Sequence, residues 1–305
     1  MTNSDHTLLM ISAMYENGGN TVHRFLDGHP QLAVYPFESQ LGTPLVADAL
    51  SSMFPSKYRW PVFPLSGSPA QDYAAIIDEE CRVRTRTPHV SKFRHVELEL
   101  SDDERGALYR QYACADGRST GDNVVAFFRA TFDAWKNRQS SGRERMFVGY
   151  SPIIAVDADR IFADLPNARL LHVVRNPWSA YADTKRRPVP LPLDGYMLRW
   201  NVCQMHALRA RALFPDRVHI VRVEDVMADP RATLGAICES MGLEAADTLT
   251  RPTWNGQPLD EIYPWGTIRA PTLDANRVAS ESLSEAERTA IRVWTSPYLD
   301  AFDYR

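Results

Sequence analysis

The stretch LLMISAMYENGGNTVHRFLDGHP, residues 8–30, contains the strongest fold signal in the chain. It begins with a near-continuous apolar run, which is typical of a strand covered on both faces of a sheet. The pair Gly18-Gly19 follows, and apolar residues then recur at helical spacing over residues 22–26 before Pro30 ends the pattern. We therefore predict a strand, a glycine-rich turn and a helix in direct succession.

A turn of this kind, placed between a strand and a helix, can hold an anion. Backbone N–H groups and the positive end of the helix point to the same spot, and adjacent glycines let a phosphate approach the backbone closely. Asn-Gly and Gly-Gly pairs are also ordinary turn formers, so phosphate binding and a plain turn both stay open. The turn is not a Walker A loop, because the Gly-Lys-Ser/Thr ending is absent. The candidate ligand-binding residues are Asn17, Gly18, Gly19, Asn20 and Thr21.

Four further apolar runs predict strands, and helical patterns lie between them. The runs are residues 31–37, 146–151, 168–175 and 217–224. Capping residues mark three helix starts, at Ser101, at Ser284 and at Asp229-Pro230. Alternating strands and helices predict an α/β protein with a central parallel sheet flanked by helices.

The composition predicts a soluble globular protein. The chain has 305 residues, 44% of them apolar and 24% charged, which is enough for a sizeable core in one large or two ordinary domains. The formal net charge of −4 gives no general attraction to nucleic acid or to an anionic membrane. The first residues lack a positively charged leader, and their apolar run is too short to span a bilayer, so we expect a cytoplasmic protein. The four cysteines are dispersed, which predicts neither a disulfide framework nor a metal site.

Basic residues at the end of the run 168–175 form a second candidate for anion binding. Arg175 ends this run and so lies at the carboxyl edge of the predicted sheet, where ligands bind in open α/β folds. A surface salt bridge is the ordinary alternative for such an arginine. The basic segment 82–95 is another source of cations, although the alternation in residues 82–87 is more typical of the solvent face of an amphipathic strand.

Four segments, in this order, resemble the sulfotransferase family, whose members transfer a sulfuryl group from 3′-phosphoadenosine 5′-phosphosulfate (PAPS). They are HRFLDGHP, ARLLHVVRNPWSAYAD, VRVEDVMADPRATLGAICESMGL and PTWNGQP. The resemblance extends over residues 8–304 and is weakest over residues 43–147. It implies one sulfotransferase-like domain over residues 1–305, with a fold like that of P-loop kinases and PAPS as co-substrate. It also implies that Arg175, the position of Asp183 and the PTWNGQP loop with Gly256 bind the donor.

Three positions depart from the family pattern in the implied donor site. Glu16 stands where the family has a basic residue, Asp183 replaces the serine that binds the 3′-phosphate, and Tyr150 replaces a lysine of many relatives. A carboxylate about 5 Å from a phosphate opposes binding by roughly 3 kcal/mol per unit charge at an effective dielectric constant of about 20. Glu16 must therefore point away, be neutralised or indicate a different ligand. Lys185 and the two arginines after it are available to compensate.

The base that activates the acceptor is predicted from the segment AVYPFESQLG. This segment places Glu38 after the second predicted strand, close to the glycine turn by topology. The resemblance supports this role, because several sulfotransferases acting on sugars or protein tyrosine use a glutamate just after the LDAHP-like segment. A solvated turn residue is an equally good interpretation of Glu38, and His89 and His95 are competing bases. His23 is close to the turn and is a candidate phosphate ligand.

These observations lead to one main hypothesis and two alternatives. The main hypothesis is a sulfotransferase that moves a sulfuryl group from PAPS to a hydroxyl of a small molecule or carbohydrate, with residues 43–147 on the acceptor side. Within that region, residues 50–69 match either a lid or, more simply, a long surface connection. The alternatives are a non-catalytic binding protein that has lost PAPS binding and a transferase with another phosphorylated donor. Glu16 and Asp183 favour these alternatives. We expect no nucleic-acid partner and no membrane span.

Overall fold

The computed structural model describes residues 7–113, 118–259 and 273–304. One sheet contains the strands β1 (Thr7–Ala13), β2 (Leu32–Val34), β3 (Met146–Tyr150), β4 (Arg169–Val174) and β5 (Val218–Arg222). Their order across this sheet is β2-β3-β1-β4-β5, and each neighbouring pair is parallel. A separate antiparallel pair consists of β6 (Thr253–Trp254) and β7 (Gln257–Pro258).

Helices connect the strands. The α-helices of the described residues are α1 (Gly19–Leu26), α2 (Pro69–Ala75), α3 (Glu79–Arg86), α4 (Asp102–Tyr112), α5 (Thr120–Ala134), α6 (Ala158–Asp164), α7 (Pro177–Lys185), α8 (Leu193–Leu213), α9 (Val223–Ala228), α10 (Pro230–Ser240), α11 (Leu273–Glu281) and α12 (Glu285–Leu299). Short 3-10 helices lie at Ser56–Tyr58, Pro88–Val90, Ile154–Asp157 and Asp247–Thr250.

The central strand β1 is covered on both faces, which explains its near-continuous apolar sequence. Leu8 and Met10 belong to one buried cluster, which includes phenylalanines of α5, whereas Leu9 and Ile11 belong to another, which includes apolar residues of α1 and α10. Alternate side chains of a strand point to opposite faces, so each face of β1 packs into its own core. The five predicted strands and the predicted α/β class with a parallel sheet are confirmed.

The predicted helix starts are confirmed by their caps. Ser101 accepts a hydrogen bond from the backbone of Glu104 at the start of α4, and Ser284 forms a capping box at the start of α12. Asp229 accepts from the backbone N–H of Ala232 at the start of α10. These side chains satisfy N–H groups that have no partner within the helix.

Two predictions for the region between β2 and β3 are wrong. Residues 82–86 are helical, because they continue α3, whose first turn carries two glutamates and whose last turn carries two arginines, a charge order that favours a helix. Residues 50–69 are not a plain surface connection, because Arg59 and Trp60 are buried. The Asp157 carboxylate accepts hydrogen bonds from the Arg59 guanidinium and the Trp60 backbone N–H at 2.7–2.8 Å.

The parallel sheet gathers the segments of interest at one edge. The chain leaves β1, β3, β4 and β5 at their carboxyl ends, which meet at the same edge of a parallel sheet. We call this the carboxyl edge. In the part of the chain that the structure describes, no helix is long and apolar enough to cross a membrane.

Candidate active site

The β1–α1 turn, residues 14–18, ends at Gly18, and α1 begins at Gly19; packing requires a glycine at both positions. Gly18 has a φ of 84°, and a Cβ atom there would lie 2.4 Å from a methyl carbon of Val223. A Cβ atom on Gly19 would lie 2.5 Å from a ring carbon of Tyr150. Both distances are too short for any side chain. The glycines therefore allow α1 to begin directly against the end of β3 and the start of α9.

The start of α1 is open to a ligand. No side chain caps it, so the first N–H groups of the helix lack partners within the helix. Asn20 and Thr21 lie in this first turn and are half-buried, and neither side chain forms a hydrogen bond to the described residues. Such a helix start favours an anion, because its N–H groups and the helix dipole act together.

Asn17 lies in the β1–α1 turn, where the sequence placed it, and its side chain is engaged within the protein. Its side chain is fully buried, and its amide nitrogen donates to the Tyr15 carbonyl at 2.9 Å and to the Tyr196 hydroxyl at 3.2 Å. Its amide oxygen accepts from the Arg175 backbone N–H at 3.0 Å and from the Trp200 indole at 3.2 Å. These contacts use the whole hydrogen-bonding capacity of the amide. Asn17 therefore joins the turn to β4 and α8, and this placement does not support a ligand contact by its side chain.

Glu16 is neutralised by an ion pair. Its carboxylate lies 2.6 Å from the Arg187 guanidinium, which also lies over the Tyr15 ring at 5.8 Å from the centroid. Of the three possibilities for Glu16 that the sequence left open, neutralisation is the one that the structure shows. The reversed charge at this position is balanced by a residue that follows α7.

Arg175 lies at the carboxyl edge, but a carboxylate partly balances its charge. Its guanidinium donates to the Glu16 carbonyl at 3.0 Å and to the Asp183 carboxylate at 2.7 Å. Arg186 lies 3.3 Å from the other carboxylate oxygen of Asp183. Asp183 follows Arg175 by eight residues and lies on α7. Its carboxylate is adjacent to the Arg175 guanidinium in space.

Lys185 also has a partner. Its ammonium lies 2.7 Å from the carboxylate of Glu287 on α12, and nearly half of its side chain is exposed. Together with Arg175, Arg186 and Arg187, it forms a basic cluster that also holds three carboxylates, those of Glu16, Asp183 and Glu287. The cluster therefore has only a small positive excess when its side chains are paired in this way.

Glu38 lies beside the turn because Tyr150 connects the two. The ring of Tyr150 packs against Gly19, and its backbone carbonyl accepts from the Ser39 N–H at 2.7 Å. The half-buried Glu38 carboxylate lies 3.4 Å from the Gln40 amide nitrogen and faces the hydroxyl of Tyr58. The structure thus brings the predicted base to the same edge as the open start of α1.

Tyr150 does not supply the positive charge of the lysine it replaces. It is buried, and burial together with the nearby Glu38 carboxylate raises the pKa of its hydroxyl well above the usual value. Tyr58 and Tyr15, on the other sides of Glu38, also have raised pKa values, chiefly because of burial. Glu38 therefore has three neutral phenols among its neighbours.

The histidines named from the sequence lie elsewhere or are blocked. His89 and His95 are exposed, and neither forms a hydrogen bond to the β1–α1 turn within the described residues. His23 is fully buried, and burial holds the pKa of its imidazole well below the usual value, so it is neutral. Over the described ranges 7–113, 118–259 and 273–304, no three side chains of the types His, Cys, Asp or Glu are grouped to hold a metal ion.

Gly256 lies at the opposite end of α1 from the turn. Its backbone N–H donates to the Asp27 carboxylate at 2.9 Å, and Thr253 donates to the same carboxylate at 2.8 Å. Asp27 caps the carboxyl end of α1. These hydrogen bonds hold the LDGHP and PTWNGQP segments side by side. Because Gly256 is far from the start of α1, its position does not support donor binding.

Sequence reasoning missed residues of two kinds. Tyr58 and Glu80 come from the variable region 43–147 and lie against Glu38. A cavity of about 650 Å³ lies at the start of α7, next to Arg175 in the chain, and its lining includes Trp178, Arg288, Arg292 and Tyr304. The groups around Glu38 and the lining of this cavity come from segments far apart in sequence. The only local signals in these segments are the serine cap before α12 and the acidic pair at residues 79–80.

The fold and the site define an α/β protein with an open helix start and a carboxylate at the carboxyl edge of its sheet. The model of the sulfotransferase family matches residues 14–247. Since this is more than half of the chain, the protein belongs to the sulfotransferase family, and the resemblance seen in the sequence is confirmed.

Solved structures similar to this chain include sulfotransferases. The sulfotransferase domain from the olefin synthase of Synechococcus PCC 7002 has 16% sequence identity and a TM-score of 0.49, and the alignment covers 95% of this chain and 96% of that one. Sulfotransferase STF9 from Mycobacterium avium has 15% identity and a TM-score of 0.49, with coverage of 98% of this chain and 77% of that one. No curated protein matches the chain in sequence.

Proposed function

We propose that this protein transfers a sulfuryl group from PAPS to a hydroxyl group of a small molecule or carbohydrate, with Glu38 as the base. The observation that carries this proposal is the contact made by Tyr150, which packs on Gly19 and holds the backbone next to Glu38. An anion site and a carboxylate are thereby adjacent at one edge. Sulfuryl transfer needs these two elements, one to stabilise the donor and one to remove the acceptor proton.

The residues of the donor site fit PAPS in part. The uncapped start of α1, with Asn20 and Thr21, suits the phosphosulfate group. The cavity beside α7 has the size of a nucleotide site, and Trp178, Arg288 and Arg292 in its lining offer a ring surface and cations. Arg175 suits the 3′-phosphate, although Asp183 balances part of its charge. When bound, PAPS would supply the sulfuryl group.

Glu38 performs the proton transfer in this proposal. The acceptor oxygen forms a bond to sulfur, the bond between sulfur and the phosphate oxygen breaks, and the proton of the acceptor hydroxyl passes to the Glu38 carboxylate. A well-placed general base contributes about 10²- to 10⁴-fold to such a reaction. The neighbouring tyrosines are protonated at neutral pH because burial raises the pKa of each, so they do not compete as bases.

The acceptor side is proposed to be the region 43–147. This region contributes Tyr58 and Glu80 to the surroundings of Glu38. The rings of Tyr15 and Tyr58 meet edge to face, with centroids 6.0 Å apart, and provide an aromatic wall next to the carboxylate. An aromatic wall beside a polar group suits a sugar ring or a small organic acceptor.

A second candidate function is favoured by the ion pairs of the donor site. Arg175 with Asp183 and Glu16 with Arg187 balance each other without a ligand. A protein with this arrangement suits a phosphorylated donor that lacks the 3′-phosphate, or a binding role without catalysis. Nucleotide selectivity separates this candidate from the first.

Calorimetry with 3′-phosphoadenosine 5′-phosphate tests the donor, with ADP and AMP as comparison ligands. We expect micromolar binding that prefers the 3′-phosphate and weakens roughly 10- to 100-fold in Arg175→Ala, because a charge-assisted hydrogen bond of about 1.5–3 kcal/mol is lost. Arg209→Ala is the matched control, since Arg209 forms an exposed ion pair with Asp159 on another surface. Equal binding of the three nucleotides would support the second candidate and contradict the use of PAPS.

A transfer assay tests the base. With a panel of phenolic and sugar acceptors, Glu38→Gln should lower kcat by about 10²- to 10⁴-fold while nucleotide binding is unchanged. Glu79→Gln is the control, because Glu79 is exposed and pairs with Lys57. A Glu38→Gln variant with normal kcat would show that another group removes the proton.

A further inference from the structure

Glu80 reaches the candidate base through one direct hydrogen bond and through a bridge formed by Gln40. One of its carboxylate oxygens lies 3.3 Å from the backbone N–H of Glu38, which donates to it. Gln40 bridges the same pair, because its amide oxygen accepts from the Glu80 N–H at 3.3 Å and its amide nitrogen lies 3.4 Å from the Glu38 carboxylate. The two glutamates therefore share one small polar network, which we call the carboxyl pair.

A buried network fixes Glu80 in this place. Asp78, just before α3, accepts from the Tyr35 hydroxyl at 2.9 Å and from the Arg105 guanidinium at 2.7 Å. Both Asp78 and Arg105 are fully buried. Tyr35 follows β2, so the start of α3 is tied to the strand that leads to Glu38. The approach of Glu80 to Glu38 is thus set by rigid elements, and a chance orientation of surface side chains does not explain it.

The groups that face Glu80 come from four segments. Glu38 lies on the segment after β2, and Lys92 forms an ion pair with the second carboxylate oxygen of Glu80. The phenols of Tyr58 and Tyr150 are also close to Glu80. Only about a tenth of the Glu80 side chain is exposed. Burial, followed by the Glu38 carboxylate, raises the pKa of the Glu80 carboxyl group to about 7.

We propose that Glu80 is a positioning residue for the proposed base: it holds the Glu38 backbone, and its charge sets the basicity of the Glu38 carboxylate. This inference rests on the proposed function for its catalytic meaning, but the coupling between the two carboxyl groups is a property of the protein alone. Two carboxylates in one poorly solvated site do not ionise independently. A negative Glu80 makes Glu38 a stronger base, and a protonated Glu80 makes it a weaker one.

The sign of the pH effect follows from this coupling. Below about pH 7 Glu80 is protonated and Glu38 does not feel its charge. As the pH rises through this value, Glu80 loses its proton, and Glu38 binds the acceptor proton more strongly. The transfer rate should therefore rise with pH near neutrality.

Carbon-13 NMR of glutamate carboxyl groups tests the coupling without any substrate. The Glu80 signal is assigned by its loss in Glu80→Gln, which keeps an oxygen able to accept from the Glu38 N–H. We expect Glu80 to titrate near pH 7 in the native protein and at least about one pH unit lower in Glu38→Gln. An unchanged midpoint in Glu38→Gln would overturn the proposal. Glu79→Gln, the adjacent exposed glutamate, should leave the Glu80 midpoint in place.

The pH profile of kcat tests the consequence. The native protein should show a rise near pH 7 that is absent in Glu80→Gln, whereas a purely structural role of Glu80 would leave the shape of the profile unchanged. Circular dichroism checks that each variant is folded. A native-like profile in Glu80→Gln would overturn the role of Glu80 and leave the proposed function standing. An inactive native protein would contradict the proposed function, and the NMR titration would still decide whether the two carboxyl groups are coupled.

Discussion

The end of β4 determines the position of Arg175, but a neighbouring carboxylate partly balances its charge. Its place at the end of β4 follows from the strand pattern, and the structure puts it at the carboxyl edge as expected. Its charge, however, is shared with Asp183 at 2.7 Å. A cation that already has a carboxylate partner attracts a phosphate less strongly, because the carboxylate repels the same phosphate.

Replacing Asp183 should release Arg175. In Asp183→Ser the Arg175 guanidinium loses its partner, and we expect 3′-phosphoadenosine 5′-phosphate to bind about tenfold more tightly, a change of about 1.4 kcal/mol. ADP, which has no 3′-phosphate, should change little. Calorimetry on both nucleotides measures the difference.

The control for this variant removes the same charge from another ion pair. Asp159→Ser breaks the exposed pair of Asp159 with Arg209 and should leave both affinities unchanged. If Asp183→Ser strengthened ADP and 3′-phosphoadenosine 5′-phosphate equally, the effect would be one of general charge, and Arg175 would have no special role toward the 3′-phosphate.

The sequence predicted the locations of candidate residues better than their partners. Glu38 and Arg175 were assigned to the carboxyl edge because strand ends can be read from apolar runs. The ion pair of Glu16 with Arg187, and the use of Asn17 as a buried connector, depend on which side chains meet after folding. Glu80 belongs to the same group, since it is distant from Glu38 in sequence and adjacent to it in space.

Among the secondary-structure elements, strands covered on both faces were predictable and the variable region was not. The five strands of the sheet and three helix caps carry strong local signals. In α3 the alternation of arginine with apolar or small residues suggested a strand, whereas the deciding signals are the acidic first turn and the buried Asp78 before it. Tertiary anchoring overrides local alternation in this helix.

Arg105 should be the residue on which the position of α3 depends most. It is fully buried between Asp78 and Asp102, with distances of 2.7 and 2.6 Å. Arg105→Ala would leave two buried carboxylates without their main partner, which costs about 3–5 kcal/mol. Urea unfolding should show this loss in the free energy of unfolding.

A variant that breaks an exposed ion pair of the same helix sets the scale for Arg105. Lys136→Ala breaks an exposed pair with Glu104 of α4 and should cost no more than about 1 kcal/mol. Similar losses in the two variants would contradict the view that the network of Asp78, Arg105 and Tyr35 anchors α3.

For the molecule as a whole, titratable groups in and around the core act in opposite directions when the pH falls. Burial lowers the pKa of five histidines, which are His23, His29, His172, His206 and His219. Burial raises the pKa of the carboxyl groups of Asp78 and Glu80. A histidine with a lowered pKa destabilises the folded state in acid, whereas a carboxyl group with a raised pKa stabilises it there. Although burial opposes the change, Arg105 lowers the pKa of the Asp102 carboxyl group to about 2, so Asp102 acts in the same direction as the histidines. Acid stability is therefore a balance between groups of both kinds.

His172 allows one side of this balance to be measured. It lies in β4, its Nε2 is 2.9 Å from the Gln204 amide oxygen, and burial lowers its pKa from 6.5 to about 4. Above pH 6.5 the imidazole is neutral in the folded and unfolded states, so its contribution to stability is fully present. As the pH falls from 6.5 to about 4, only the unfolded state takes up the proton, and the folded protein loses about 3 kcal/mol.

The variant His172→Gln removes this titration and keeps a polar group next to Gln204. We expect it to be less stable than the native protein at pH 7.5, with a gap in the free energy of unfolding that narrows by about 3 kcal/mol on going to pH 4. Urea unfolding at several pH values measures the gap, and His89→Gln, at an exposed histidine, controls for the change of residue type. A gap that stays constant with pH would mean that His172 takes up its proton at the same pH in the folded protein as in the unfolded chain, as it would if its site opened to water. The acid sensitivity of the fold would then come from other groups, such as the remaining four histidines or the Asp102 carboxyl group, whose pKa is lowered to about 2. The same pair of measurements on His219→Gln would be the next comparison, because β5 is the edge strand next to β4.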